Sequence, residues 1–136
     1  DRSIKSPYPL LVQGGHKEFK YKFEEGKQSY INKKSISIRS IPLEIKLKGE
    51  NEPRYNEMII NSDDFTRILL NHERGSLAMA RSQPLDSARI KFYITLKKMP
   101  ELDGRYAVFG KVIKGMDVID SIKEGDVILK IKEVGK

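Results

Sequence analysis

The sequence predicts a mainly β protein whose antiparallel strands close, or nearly close, into a barrel with a short flanking helix. Short apolar or alternating segments recur along the chain, separated by glycine-containing and polar loops, and helical spacing is scarce. With 136 residues, the chain is long enough for one domain with one core. Because open sheet edges pair readily with other chains, a strand-rich domain of this size favours closure.

The first half of the chain contains several predicted strands. Residues 8–13 are predicted to form a strand that ends at Gly14 and Gly15. Further on, apolar residues alternate with charged or polar ones, which is the pattern of a strand with one buried face. The alternating apolar positions are Phe19, Tyr21, Phe23, Ile36, Ile38, Leu43, Ile45 and Leu47. Residues 24–34 are predicted to be a polar loop, and residues 49–53 end the last of these strands.

The second half is predicted to add a short helical turn, more strands and one further helix. Residues 62–64 could cap a turn running to Leu70, because side-chain oxygens accept the free N–H groups of a helix start. Met116 and Ile119 have helical spacing within a predicted helix over residues 115–122. The predicted strands are residues 58–60, 77–80, 91–96, 106–112 and 127–134.

Charge and apolar content limit the classes of partner. The net charge of +7 raises the expectation of an anionic partner. However, lysines and acidic residues alternate along the chain, as in residues 17–27 and 97–103, so a solvated basic surface is favoured over a nucleic-acid site. No apolar run approaches the roughly 20 residues of a membrane-spanning helix. We therefore expect no nucleic-acid partner and no membrane span.

Several kinds of chemistry have no support in the sequence. The chain has no cysteine, which excludes disulfides and thiolate catalysis. His16 and His72 are the only histidines, and no further ligands follow at metal-binding spacing, so neither a metal nor a cofactor is expected. Ser76 has no catalytic partner visible in the sequence, and Gly14 and Gly15 fit a turn better than a phosphate-binding loop.

Four short motifs occur in one order along the chain. They are Val-Gln-Gly-Gly at residues 12–15, Leu-Ala-Met-Ala at 77–80, Leu-Asp-Gly with Val-Phe-Gly between 102 and 110, and Gly-Met-Asp-Val at 115–118. In this order they resemble the cyclophilin-type peptidyl-prolyl isomerases over most of the chain. The resemblance implies a cyclophilin-like antiparallel β-barrel formed by a single domain, residues 1–136. The family has strands and a helix before the segment that resembles residues 1–4, so we expect this domain to be incomplete at its N-terminus.

A narrower resemblance is carried by residues 39–50, Pro53, Tyr55 and residues 124–128. The first of these segments reads Arg-Ser-Ile-Pro-Leu-Glu-Ile-Lys-Leu-Lys-Gly-Glu, and the last reads Glu-Gly-Asp-Val-Ile. They are similar to cyanobacterial and chloroplast cyclophilins of the thylakoid lumen. That resemblance implies a lumenal location and a photosynthetic complex as a partner.

The cyclophilin resemblance also implies an active site. Arg2 corresponds to the arginine that would donate hydrogen bonds to the twisting amide, a role that suits a rigid guanidinium fork. Gln13 would hold the peptide backbone or orient Arg2. The residues implied to contact the proline-containing peptide are Leu10, Leu11, Ala80, Arg81, Lys91, Tyr93, Leu102 and Tyr106.

Several of these positions depart from the family pattern. Leu10 stands where the family usually has phenylalanine, and Tyr106 stands where it has histidine. Lys91 replaces the glutamine of a Gln-Phe-Phe segment, and Arg81 replaces an asparagine that binds substrate backbone. Glu101 replaces the usual tryptophan, which argues against strong cyclosporin-type binding. The added cations would disfavour a second positive charge near Arg2 and alter substrate choice.

Two functions therefore remain open at this point. The first is a peptidyl-prolyl isomerase of reduced activity that acts on proline-containing client proteins. The second is a catalytically degenerate cyclophilin that serves as a binding or assembly subunit of a photosynthetic membrane complex. The retained Arg2 and Gln13 favour the first, whereas Leu10, Arg81 and Lys91 favour the second. Binding to nucleic acid or to an anionic membrane would rest on net charge alone.

Overall fold

The computed structural model of the chain describes residues 10–15 and 39–135. These residues form six strands, two short α-helices and one 3-10 helix. In chain order they are β1 (Leu11–Gly15), β2 (Glu44–Ile45), β3 (Arg54–Tyr55), α1 (Ser62–Phe65), β4 (Ser76–Met79), β5 (Lys91–Thr95), the 3-10 helix (Pro100–Leu102), β6 (Val108–Lys111) and α2 (Met116–Asp120).

Four of the strands form one antiparallel sheet in the order β1-β5-β4-β6. The remaining two, β2 and β3, pair antiparallel as a separate small sheet. The predicted class, a mainly β protein built on an antiparallel sheet with short helices, is confirmed. Within the described ranges the four-stranded sheet is open, with β1 and β6 at its edges.

Residues from the two middle strands and from β1 point to one face of the large sheet. Tyr93 in β5 pairs with Gln13 in β1 and with Ala78 in β4. Directly paired residues of antiparallel strands point to the same side, and so do residues two apart in one strand. Leu11 and Thr95, which pair with each other, therefore lie on the same face as Gln13 and Tyr93.

The apolar alternation between residues 43 and 47 produces a second, separate core cluster. Leu43, Ile45 and Leu47 are buried, as the alternation predicts, and they pack with Ile59 and Ile68. The ladder itself is shorter than predicted, because only Glu44–Ile45 pairs as a strand with β3. Leu47 instead forms an isolated antiparallel bridge with Ile68.

Charged side chains connect the turn after β2 to helix α1. Arg54 donates hydrogen bonds to Glu50 at 2.6 Å and to Asp64 at 3.1 Å, and Arg67 donates one to Asp64 at 2.6 Å. The hydrogen bond from Arg54 holds the pKa of Glu50 below its usual value, and the one from Arg67 does the same for Asp64. These carboxylates therefore remain charged and keep both ends of the network together.

Three local predictions were wrong in detail. The cap of α1 is Asn61, one residue before the predicted group, and its side-chain oxygen accepts the N–H groups of Asp63 and Asp64. Residues 58–60 form no strand, although Ile59 is buried. The α1 helix also ends at Phe65, well before Leu70, because the chain then turns to form the bridge to Leu47.

The largest correction concerns residues 127–134, which were predicted to form a final strand. They adopt no regular structure and are exposed; Leu129 is 92% accessible. Alternation is a property of one segment, whereas a strand also needs a partner, and these residues pair with no described strand. The predicted strands and loop between residues 16 and 38 lie outside the described residues. In the part of the chain that is described, no helix is long and apolar enough to cross a membrane.

Replacing Gly104 with alanine should destabilise the fold. Gly104 has a φ of +79°, and an added Cβ would lie 2.9 Å from the Ile59 carbonyl oxygen and 3.1 Å from its Cβ. The left-handed backbone costs alanine about 1–2 kcal/mol, and the overlap adds about 1–3 kcal/mol to the loss. Urea unfolding measures the change.

Gly49→Ala is the matched control, because Gly49 also has a left-handed φ, +89°, but its nearest neighbour would lie 4.0 Å away. Its loss of stability should be limited to the backbone cost, about 1–2 kcal/mol. Equal losses for the two variants would contradict the close approach of Gly104 to Ile59.

Candidate functional site

An apolar cluster forms around Tyr93 on the shared face of the large sheet. Tyr93 is 3% exposed and packs with the buried Ala78 and Ala80. Four partly buried side chains pack against them: Leu11, Leu102, Tyr106 and Val108. The structure thus brings together Leu11, Ala80, Tyr93, Leu102 and Tyr106, five of the predicted peptide-contacting residues.

The aromatic rings of this cluster meet at a defined angle. The rings of Tyr93 and Tyr106 lie 6.0 Å apart between centroids, with an interplanar angle of 84°. This edge-to-face contact places the positive ring edge against the negative ring face. Each ring therefore restricts the orientation of the other.

Arg81 covers the exposed side of the Tyr106 ring. Its guanidinium carbon lies 4.7 Å from the ring centroid, a cation–π distance. The guanidinium also donates hydrogen bonds to the backbone carbonyls of Ser82, Gln83 and Arg105. No carboxylate among the described residues forms a salt bridge with Arg81, so its positive charge is available to a ligand at this site.

Gln13 presents a polar atom to the same face. Its side-chain oxygen Oε1 is buried, yet it accepts no hydrogen bond from the described part of the chain. A buried acceptor without a partner costs free energy, about 1–3 kcal/mol. Gln13 is therefore a position at which a donor from another group would be stabilised.

A buried hydrogen-bond chain supports the cluster from behind. The Tyr93 hydroxyl lies 2.7 Å from Nε2 of His72, and Nδ1 of His72 lies 2.8 Å from Oδ1 of Asp103. The same carboxylate oxygen accepts the backbone N–H of His72 at 2.6 Å. His72 is fully buried and Asp103 is 5% exposed.

Burial determines the charge state of two residues in this hydrogen-bond chain. It lowers the pKa of His72, although the hydrogen bond from His72 to Asp103 partly opposes the shift. Burial also raises the pKa of Tyr93, with Tyr106 adding to the effect. His72 is therefore neutral near neutral pH, with the proton on Nδ1, and the Tyr93 hydroxyl donates to Nε2.

The sequence did not reveal this hydrogen-bond chain. In the sequence, His72 has no further ligands at metal-binding spacing, and Asp103 is distinguished only by its place in the Leu-Asp-Gly motif. The two residues are 31 positions apart, and no local spacing pattern connects them. Within the described ranges, no group of three or more His, Asp or Glu side chains could hold a metal ion.

Two predicted site residues lie apart from the cluster, and a third lies outside the described residues. Leu10 is half-buried and precedes β1, but it does not pack against the Tyr93 group. Lys91 is exposed at the start of β5, opposite Gly15. Arg2 lies outside the described residues. The roles of all three remain predictions.

Comparison with known proteins agrees with the motifs and the sheet. The family model described as cyclophilin type peptidyl-prolyl cis-trans isomerase/CLD matches residues 2–134. The chain therefore belongs to the cyclophilin-type peptidyl-prolyl cis-trans isomerase family, and the resemblance inferred from its motifs is confirmed.

Individual relatives carry the same family name. A probable peptidyl-prolyl cis-trans isomerase of Brucella abortus is 50% identical over 52 residues, covering 38% of this chain and 26% of that protein. A putative thylakoid lumen peptidyl-prolyl cis-trans isomerase of Synechocystis is 30% identical over 115 residues, covering 77% of this chain and 30% of that protein. The chain thus spans less than a third of the length of these relatives.

A solved structure supports the fold. The crystal structure of cyclophilin AquaCyp293 from Hirschia baltica matches with a TM-score of 0.51 and 16% identity. The match covers 90% of this chain and 53% of that one. At this identity the similarity concerns the fold alone.

The stability of the protein should fall as the pH drops below about 6.5, the usual pKa of histidine. Because burial lowers the pKa of His72, the unfolded chain binds a proton where the native chain does not. Protonation therefore favours unfolding until the pH passes the lowered native pKa. Urea unfolding at about pH 8 and about pH 5 measures this loss.

His72→Gln should remove this component of the pH dependence. The control is His16→Gln, which deletes the other imidazole of the chain and should leave the component in place. A pH dependence that persists in His72→Gln, or disappears in His16→Gln, would contradict the assignment to His72.

Proposed function

We propose that this chain acts as a peptidyl-prolyl cis-trans isomerase on X–Pro bonds during protein folding or assembly. The observation that supports this most is the clustering of Leu11, Ala80, Tyr93, Leu102 and Tyr106 around one buried ring. These side chains come from β1, the residue directly after β4, β5, the 3-10 helix and the segment before β6. An apolar surface with two aromatic rings suits the pyrrolidine ring of proline.

The reaction requires binding rather than covalent chemistry. Rotation about an X–Pro bond faces a barrier of about 20 kcal/mol, set by amide resonance. A site that binds the twisted amide more tightly than the planar one lowers this barrier. In our proposal the Arg2 guanidinium donates a hydrogen bond to the amide as it twists, because resonance is lost and charge returns to the amide atoms.

Gln13 is proposed to act beside Arg2. Its buried Oε1 has no donor among the described residues, so it can accept either an Arg2 N–H or a peptide N–H. Both outcomes satisfy an acceptor that is otherwise unpaired in a buried position. Gln13 also shares its sheet face with Tyr93, which is the correct side for a peptide lying on the aromatic cluster.

The basic side chains near this surface are expected to change its substrate preference. Arg81 carries an unpaired positive charge over Tyr106, and Lys91 is exposed on the neighbouring strand. Both raise the local positive potential, which favours peptides with acidic residues and disfavours basic ones. We therefore propose an isomerase of reduced general activity.

A second candidate is a cyclophilin retained for binding, as an assembly subunit of a photosynthetic membrane complex in the thylakoid lumen. The Synechocystis relative, whose match covers 77% of this chain, favours this alternative. So does Arg81, because its guanidinium is tied to three backbone carbonyls at the edge of the site. In this alternative the aromatic surface binds a client without accelerating its isomerisation.

Arg2→Ala should lower the cis-trans exchange rate of an X–Pro peptide by about a hundredfold, the cost of removing one electrostatic donor. Exchange spectroscopy by NMR measures the rate directly, with the full natural chain as catalyst. The matched control is Arg39→Ala, which removes an exposed arginine outside the cluster and should leave the rate unchanged. A wild-type chain that is folded but produces no acceleration would refute the isomerase proposal.

The second candidate is tested by co-purification from the native organism under mild detergent. A stable partner in fixed stoichiometry that contains photosynthetic subunits is the expected result for an assembly role. The tagged Tyr106→Ala chain should lose this partner, because the variant removes one aromatic ring of the cluster. Recovery of a free monomer with full isomerase activity would exclude the second candidate.

A further inference from the structure

The geometry points to His72 and Asp103 as positioning residues for the proposed proline site. Neither is expected to touch the substrate, because both are buried behind Tyr93. We infer that they hold the Tyr93 ring in one orientation through its hydroxyl. This inference rests on the proposed function, since Tyr93 is the central ring of the proposed binding surface.

The donors and acceptors that join Asp103, His72 and Tyr93 are arranged in one consistent direction. Asp103 Oδ1 accepts from the backbone N–H of His72 at 2.6 Å and from Nδ1 at 2.8 Å. With its proton on Nδ1, the imidazole presents Nε2 as an acceptor, 2.7 Å from the Tyr93 hydroxyl. Asp103 thus fixes the tautomer of His72, and that tautomer fixes where the Tyr93 hydroxyl must point.

The alignment of the two rings favours the same conclusion. The rings of His72 and Tyr93 lie 5.8 Å apart with an interplanar angle of only 12°. If the Tyr93 ring swung about χ1, its hydroxyl would leave Nε2, and a buried donor and a buried acceptor would both lose their partner. The ring therefore has a polar anchor in addition to its apolar contacts.

The anchored ring in turn orients the surface above it. Tyr93 contacts Tyr106 edge-to-face, and Arg81 lies over Tyr106. A change in the angle of Tyr93 would thus reach the outer ring and the cation at the edge of the site. Asp103 is thus linked to Arg81 by successive contacts through His72, Tyr93 and Tyr106.

The same pair of residues holds a second wall of the site. Asp103 directly follows Leu102, which packs against the Tyr93 cluster. The backbone N–H of Met99, in the turn that leads to Leu102, donates to the carbonyl of His72 at 2.9 Å. His72 is thus bonded to both ends of the Leu102 turn and to Tyr93, so two walls of the site share one support.

Tyr93→Phe removes the anchor and keeps the ring. We expect the Tyr93 side chain of the wild-type chain to occupy one χ1 rotamer, which the NMR three-bond couplings between Hα and the two Hβ protons report. In Tyr93→Phe the couplings at position 93 should average over rotamers, and binding of an Ala-Pro peptide should weaken about fivefold, the effect of one hydrogen bond. Tyr106→Phe is the matched control, since its hydroxyl has no hydrogen-bond partner in the described ranges, and it should leave the Tyr93 couplings unaveraged.

His72→Gln distinguishes positioning from general stability. If His72 acts through the Tyr93 hydroxyl, its effect on peptide affinity should vanish in the Tyr93→Phe background. Additive losses in the double variant would overturn the inference, and so would averaged χ1 couplings of Tyr93 in the wild type or a single χ1 rotamer at position 93 in Tyr93→Phe.

Failure of the proposed function has a different signature. A wild-type chain that neither binds the peptide nor accelerates its isomerisation refutes the function. The χ1 couplings at position 93 in the wild type and in Tyr93→Phe then still decide whether His72 and Asp103 hold the ring. Conversely, peptide binding and catalysis that survive with averaged χ1 couplings at position 93 in the wild type would support the function and overturn the positioning role.

Discussion

The hydrogen-bond chain Asp103–His72–Tyr93 is the interaction on which the described part of the fold most depends. It joins a turn, a loop and the central strand of the sheet, and all three side chains are nearly or fully buried. A buried network of this kind is favourable only when every member is satisfied. Here the carboxylate accepts two hydrogen bonds, the imidazole uses both nitrogens, and the phenol donates its proton. The cost of burying polar groups is thereby offset, and one arrangement is preferred.

In the proposed function, the specificity of the site for its peptide depends on the charged side chains around this buried hydrogen-bond network. In the proposed function, the apolar cluster would accept any proline, whereas the charge of Arg81 would favour only some peptides. The guanidinium cannot relax away, because carbonyls of Ser82, Gln83 and Arg105 hold it. In the proposed function, the buried residues of the sheet therefore determine the fold, and the charged residues at the surface determine the choice of substrate.

Structural features that depend on neighbouring residues were predicted from the sequence. Features that depend on residues far apart in the chain were not. Burial of Leu43, Ile45 and Leu47 follows from their alternation, and strands β4, β5 and β6 lie within one to two residues of their predicted positions. Residues 127–134 are also rich in apolar residues, but a strand also requires a partner, which a single segment cannot specify. The cap at Asn61 was missed by one residue, because Ser62 and Asp63 are nearly as good cap formers.

The candidate site divides in the same way. The cyclophilin resemblance implied Ala80, Tyr93, Leu102 and Tyr106 as site residues, and the structure places all four in one cluster. The support behind them was not predictable, because His72 and Asp103 meet across 31 positions and their meeting requires the turn at residues 99–103. A sequence pattern can identify the residues that a family shares at its surface. It contains little information on which buried partner fixes their angle.

The β-bulge in β6 has a consequence for variation in chain length. Leu77 pairs with Gly110, but the next residue, Ala78, pairs with Val108, so Phe109 is an extra residue in the ladder. Val108 pairs with Ala78, which also pairs with Tyr93, so Val108 and Tyr106, two residues before it, lie on the face of Tyr93. A chain lacking Phe109 would keep the same two pairs in a regular ladder, with the same side chains on that face. Homologous chains could therefore differ by one residue in this strand and still have the same aromatic surface. A slip of the whole strand by one position would instead point these side chains to the opposite face of the sheet.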